Sequence, residues 1–123
     1  VLFIVTRFIS LLIALVCVTG CGFVGNQSLS VRTGKRVVYQ SEGGQLITAT
    51  YYCLSDGSLS FVKIKLPDGR ERTLPRVLAA SGERYTDDTD LVWWTKGDRA
   101  FAQTRGENGQ WQVLYDNCRP VSR

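Results

Sequence analysis

Residues 59–74 read Leu59-Ser60-Phe61-Val62-Lys63-Ile64-Lys65-Leu66-Pro67-Asp68-Gly69-Arg70-Glu71-Arg72-Thr73-Leu74. Val62, Ile64 and Leu66 alternate with Lys63 and Lys65, a period of two that sends apolar side chains to one face of a strand and charged ones to the other. Pro67-Asp68-Gly69 then supplies a preset φ, a carboxylate that can bond nearby backbone, and freedom to adopt positive φ. The chain turns there, and Arg70 to Leu74 returns as the second strand of a hairpin. Upstream of Val62 the apolar phase is inverted, with Leu59 and Phe61 at odd positions, which predicts a bulge near Phe61-Val62.

The same grammar repeats on both sides. Thr48 to Leu54 is rich in Thr and Tyr and is closed by Ser55-Asp56-Gly57. Leu91 to Thr95 is turned by Lys96-Gly97-Asp98 into Arg99 to Thr104, and Gly106-Glu107-Asn108-Gly109 leads to a last strand, Gln110 to Tyr115, with Trp111, Val113 and Tyr115 on one side. Helical periodicity is almost absent. Short strands with turn signals roughly every ten residues predict an all-β fold, a small antiparallel β-barrel over residues 48–123. Residues 21–47 read instead as a tether, because five glycines with several Ser and Gln resemble a flexible linker. Within it Arg36 to Tyr39 has the composition of a short strand.

Composition narrows the function. The 123 residues carry 15 basic and 11 acidic side chains and no histidine. Charges of both signs are scattered, so no basic stripe marks a nucleic-acid interface. Without histidine the commonest general base and the commonest zinc ligand are missing. No carboxylate pair stands in a recognisable catalytic motif, and the expectation is a protein that is not an enzyme and holds neither cofactor nor metal.

The front of the chain reads as an address. Residues 2–16 are apolar apart from Thr6, Arg7 and Ser10, the core of a secretory signal spanning residues 1–20. Val18-Thr19-Gly20-Cys21 resembles the lipobox of bacterial lipoproteins, which makes Cys21 the lipidated first residue of the mature chain. By that resemblance Gly22, where Asp would retain the protein in the inner membrane, favours the outer membrane, facing the periplasm. Multiple acyl chains on one cysteine anchor a protein stably. Cys17 leaves with the leader, so Cys53 and Cys118 remain as a predicted disulfide in an oxidising compartment, closing 64 intervening residues.

Two further segments stand out: Ser81-Gly82-Glu83-Arg84-Tyr85 and Trp94-Thr95-Lys96-Gly97-Asp98-Arg99-Ala100. Their order, with Tyr52-Cys53 before them and Cys118 after, resembles the membrane-bound and periplasmic inhibitors of c-type lysozyme, the MliC/PliC family. The resemblance implies a small lipid-anchored β-barrel that plugs the lysozyme cleft, with Ser81 and Lys96 meeting the catalytic carboxylates. Gly82, Tyr85 and Gly97 complete the binding set it implies, with c-type lysozyme as partner. The chain is then a monomer or weak homodimer, since an unpaired barrel edge can pair with a second copy. Trp93 and Trp94 must point to opposite faces of their strand, so one of them is an exposed contact. Because c-type lysozymes are typically basic and this chain is also net positive, Asp87, Asp88 and Asp90 are expected to form a local negative patch that steers the enzyme. The alternative is an envelope structural or ligand-binding lipoprotein. The two readings differ in whether Ser81 and Lys96 converge on one edge of the barrel or lie apart.

Overall fold

The alternation around Ile64 is realised in full. In a computed structural model describing residue 25 and residues 27–121, eight strands follow one another in chain order: β1 (Val31–Gln40), β2 (Leu46–Leu54), β3 (Ser60–Lys65), β4 (Glu71–Val77), β5 (Glu83–Thr86), β6 (Leu91–Lys96), β7 (Arg99–Arg105) and β8 (Trp111–Pro120). Each pairs antiparallel with the next, and β8 returns to β1 through Tyr39↔Pro120 and Gln40↔Arg119, closing a barrel. Val121 N–H donates to the Val38 carbonyl at 2.8 Å and extends that seam. The leader, Cys17 and Cys21 lie outside the described residues.

The interior is filled by side chains. Val62, Ile64, Ile47, Ala49 and Leu74 are buried from one half of the barrel, while Leu91, Trp93, Ala100, Ala102 and Cys118 are buried from the other. Trp93 is fully buried, and Tyr39 meets it edge-on with ring centroids 5.1 Å apart. A buried indole requires an acceptor, and Trp93 Nε1 donates to the Tyr51 hydroxyl at 3.1 Å, which lies 3.3 Å from the Tyr39 hydroxyl. Burial pushes the Tyr51 phenol well above its ordinary range and keeps it neutral.

Three expectations are corrected. The tether is shorter than predicted: residues 31–40 form β1, and 41–45 make the turn into β2. Val37 and Tyr39 point inward, and without β1 no strand would join β2 to β8. The glycines that resembled a linker have local duties instead, Gly34 packing beneath the Tyr51 carbonyl and Gly44 turning the chain at φ +84°. There is also no bulge at Phe61-Val62. The β2–β3 and β3–β4 registers are unbroken, Leu59 precedes the strand, and Phe61 faces outward, stacked on Tyr52 at 5.1 Å. The register shifts fall in β1 between Thr33 and Arg36 and between β7 and β8, where Val113 is exposed and not aligned with an inward face.

The Cys53–Cys118 disulfide is not among these corrections: both residues are free thiols here, and the bond stays an expectation. Burial pushes the Cys118 thiol up to about 11.

Candidate functional site

The short strand β5, which the spacing of turns did not announce, brings the two motifs together. Glu83 opens β5 and pairs with Thr95, the residue before Lys96. The loop of residues 78–82 therefore lands beside the β6–β7 turn at Gly97-Asp98, at one end of the barrel. Trp94 Nε1 donates to the Ser81 carbonyl at 2.9 Å, tying the first motif to the second. Gly82 lies at φ +66°, and a Cβ there would run into the Thr95 carbonyl oxygen, so only glycine lets this loop close on β6.

Lys96 pairs with Arg99 across a two-residue turn in which Gly97 takes φ +62°. Ser81, Gly82, Lys96 and Gly97 are all exposed. Among the described residues no carboxylate pairs with the Lys96 ammonium. Next to it runs an open groove of about 430 Å³ lined by Glu42, Lys96, Arg99, Phe101, Asp116 and Asn117. Ser81 and Lys96 thus converge on one edge, the arrangement that separates an inhibitor from a barrel that carries a ligand inside. The filled interior argues the same way, because the space a lipocalin-like cavity would need is taken by Trp93 and its neighbours.

Trp94 is the outward-facing, half-buried member of the tryptophan pair. Its ring stacks on Phe101 at 5.7 Å, and the Arg84 guanidinium lies 5.8 Å from it. This outer belt stiffens the wall beneath the two loops.

Two expected site features are placed elsewhere. Tyr85 is buried in the core at 4% exposure, and its hydroxyl donates to Glu83 Oε2 at 3.0 Å. Glu83 in turn pairs with Arg76 at 3.7 Å, so Tyr85 braces the β4–β5 junction from inside and does not present a surface to a partner. Burial, with the Glu83 bond adding to it, pushes its phenol up. Asp87, Asp88 and Asp90 occupy the β5–β6 turn, at the opposite end of that hairpin from Ser81 and Lys96. Asp87 Oδ1 accepts from the backbone N–H groups of Thr89, Asp90 and Leu91, and Asp90 pairs with Arg72 at 3.7 Å. These carboxylates shape a turn and do not flank the loops. Among the described residues no cluster of three or more His, Cys, Asp or Glu side chains is arranged to hold a metal.

The rim can offer a cation, a hydroxyl and closely approachable backbone to a partner, without a group poised for bond chemistry. Comparison with known proteins points the same way. A family model described as membrane-bound lysozyme-inhibitor of c-type lysozyme matches residues 39–111. A membrane-bound lysozyme inhibitor of C-type lysozyme from Yersinia enterocolitica is 32% identical over 106 residues, covering 86% of this chain and 75% of that protein. The crystal structure of Pseudomonas aeruginosa MliC in complex with hen egg white lysozyme is similar with a TM-score of 0.54 and 27% identity, covering 85% of this chain and 96% of that one.

Proposed function

Since the chain belongs to the membrane-bound inhibitors of c-type lysozyme, we propose that it inhibits that enzyme by setting the Ser81 loop and the Lys96 turn into the active-site cleft. The observation that carries the reading is the Trp94–Ser81 hydrogen bond, which holds both motifs on one exposed edge.

The chemistry follows from what the cleft contains. A c-type lysozyme keeps one carboxyl protonated in an apolar pocket and a second ionised beside the scissile bond. Lys96, a compact cation with three donors, suits the ionised group, and the Ser81 hydroxyl can donate to a carboxylate oxygen while accepting from the protonated acid. With both groups engaged, the glycan strand is excluded from the site. A Lys96–carboxylate contact sealed from water implies a cost on the order of 2–5 kcal/mol when the lysine is truncated.

Membership in this family associates the chain with the bacterial envelope. Lipidation at Cys21, with the barrel held at the outer membrane and facing the periplasm, belongs to the same proposal. Residues 22–30 would then be the tether, spanning at most about 3.3–3.6 Å per residue.

The test is a bacterial lysis assay with residues 22–123, which hold all eight strands. Wild type, Ser81→Ala and Lys96→Ala are compared against c-type and g-type lysozymes. Inhibition of the c-type enzyme alone, weakened by either substitution, is the expected result. A folded sample that leaves the c-type enzyme fully active would sink the proposal.

A further inference from the structure

Leu78 stands three residues before Ser81 in the same β4–β5 loop and is 98% exposed. It is the most exposed of the large apolar side chains among the described residues, and only the small Ala79 and Ala80 separate it from Ser81. Leu59, 40% exposed, lies on the adjacent β2–β3 turn, and an open groove of about 350 Å³ runs between the two along Ala79 and Gly82. The strip from Lys96 through Ser81 and Leu78 to Leu59 is therefore one continuous edge of the barrel.

We infer that the lysozyme contact of this chain extends along that edge, with Leu78 and Leu59 supplying its apolar part against the wall of the cleft. The inference rests on the inhibitor reading above and adds residues that neither motif contains. A hydroxyl and an ammonium must both shed water on binding, so a polar pair by itself returns little net affinity, whereas interfaces draw most of theirs from desolvated anchors near the centre. Leu78 has no role in the core, since its side chain is left in solvent. Its place beside the Ser81 plug makes it the side chain that becomes covered when the loop enters a cleft. Val113, 56% exposed, lies on β8 opposite Gln103, toward the end of the barrel that carries the Asp87–Asp90 turn, and serves as an internal control.

Calorimetric titration of a c-type lysozyme with the full chain in mild detergent tests this, using wild type, Leu78→Ala, Leu59→Ala, Val113→Ala and Lys96→Ala. Leu78→Ala is expected to weaken binding about tenfold or more, Leu59→Ala by less, and Val113→Ala by under about twofold, with the folded state kept because all three side chains are exposed. Loss of binding in Lys96→Ala while Leu78→Ala stays within about twofold of wild type would overturn this inference and leave its parent intact. An equal loss in Val113→Ala would also overturn it, by showing a general effect of surface apolarity. No binding by the wild type would overturn both readings.

Discussion

Trp94 donates its indole N–H to the Ser81 carbonyl at 2.9 Å, so a side chain from the second motif sets the backbone of the first. Replacing Trp94 by Phe keeps an aromatic ring beside Phe101 while removing the indole N–H donor. One hydrogen bond at a part-exposed site is worth about 0.5–1.5 kcal/mol. The expected result is a several-fold weaker inhibition of c-type lysozyme with little change in thermal midpoint. Inhibition equal to wild type would show that the Ser81 loop holds its shape without this bond.

Gly82 and Gly97 both have positive φ but differ in their surroundings. A Cβ at Gly82 collides with the Thr95 carbonyl, whereas at Gly97 it meets nothing within 4 Å. Gly97→Ala should therefore cost only the conformational strain, about 1 kcal/mol. Gly82→Ala should cost more and displace the Ser81 loop, lowering inhibition as well as stability. Urea denaturation of the two variants checks the order, and equal losses would contradict it.

Thiol titration of the unfolded chain after purification under air tests the Cys53–Cys118 disulfide: no free thiol is expected in an oxidised sample, and two thiols would overturn the pairing. Continuing the Gln40↔Arg119 register by one residue sets Ser41 opposite Cys118, with both side chains buried. In a Cys53→Ser background, Ser41→Cys is thus expected to form a disulfide with Cys118 and to stabilise the oxidised chain by about 4 kcal/mol in the chain-entropy model. A mass spectrum of the oxidised variant with no crosslink between position 41 and Cys118 would contradict the register of the seam.

Asp87 gives the barrel a dependence on pH. Burial opposes its ionisation, but N–H donors from Thr89, Asp90 and Leu91 outweigh that and hold its carboxyl down at about 2. A carboxyl lowered on folding stabilises above its unfolded value of about 3.9, and the benefit is lost as pH falls toward about 2. Asp90, raised by its contact with Asp87, acts with the opposite sign and offsets part of this. Asp87→Ala should lower the urea midpoint at about pH 6 and approach wild type near about pH 2. A constant gap across that range would assign the effect to lost hydrogen bonds alone.

The same turn lies away from Ser81 and Lys96, so neutralising Asp87, Asp88 and Asp90 together should leave the association rate with lysozyme within about twofold. A marked drop at low salt, measured by stopped flow, would restore the steering role.

An all-β chain, the positions of most turns, the opposite facing of Trp93 and Trp94, and the two motifs that resemble the inhibitor family were all legible from residues close together in the chain. Those are local properties: a period of two, a Pro-Asp-Gly turn, a motif of a few residues. What depends on neighbours distant in sequence was fixed only when the barrel closed. The β1 strand was hidden because the glycines in and around it resembled a linker; Gly34 inside it packs against the Tyr51 backbone, and the β8 seam closes the strand into the barrel. Tyr85 sits in the first family motif but points inward, because β5 is short and its alternation is fixed by pairing with Trp93. Whether Ser81 and Lys96 meet was settled by the pairing of β5 with β6, since only that alignment converts fourteen intervening residues into adjacent turns.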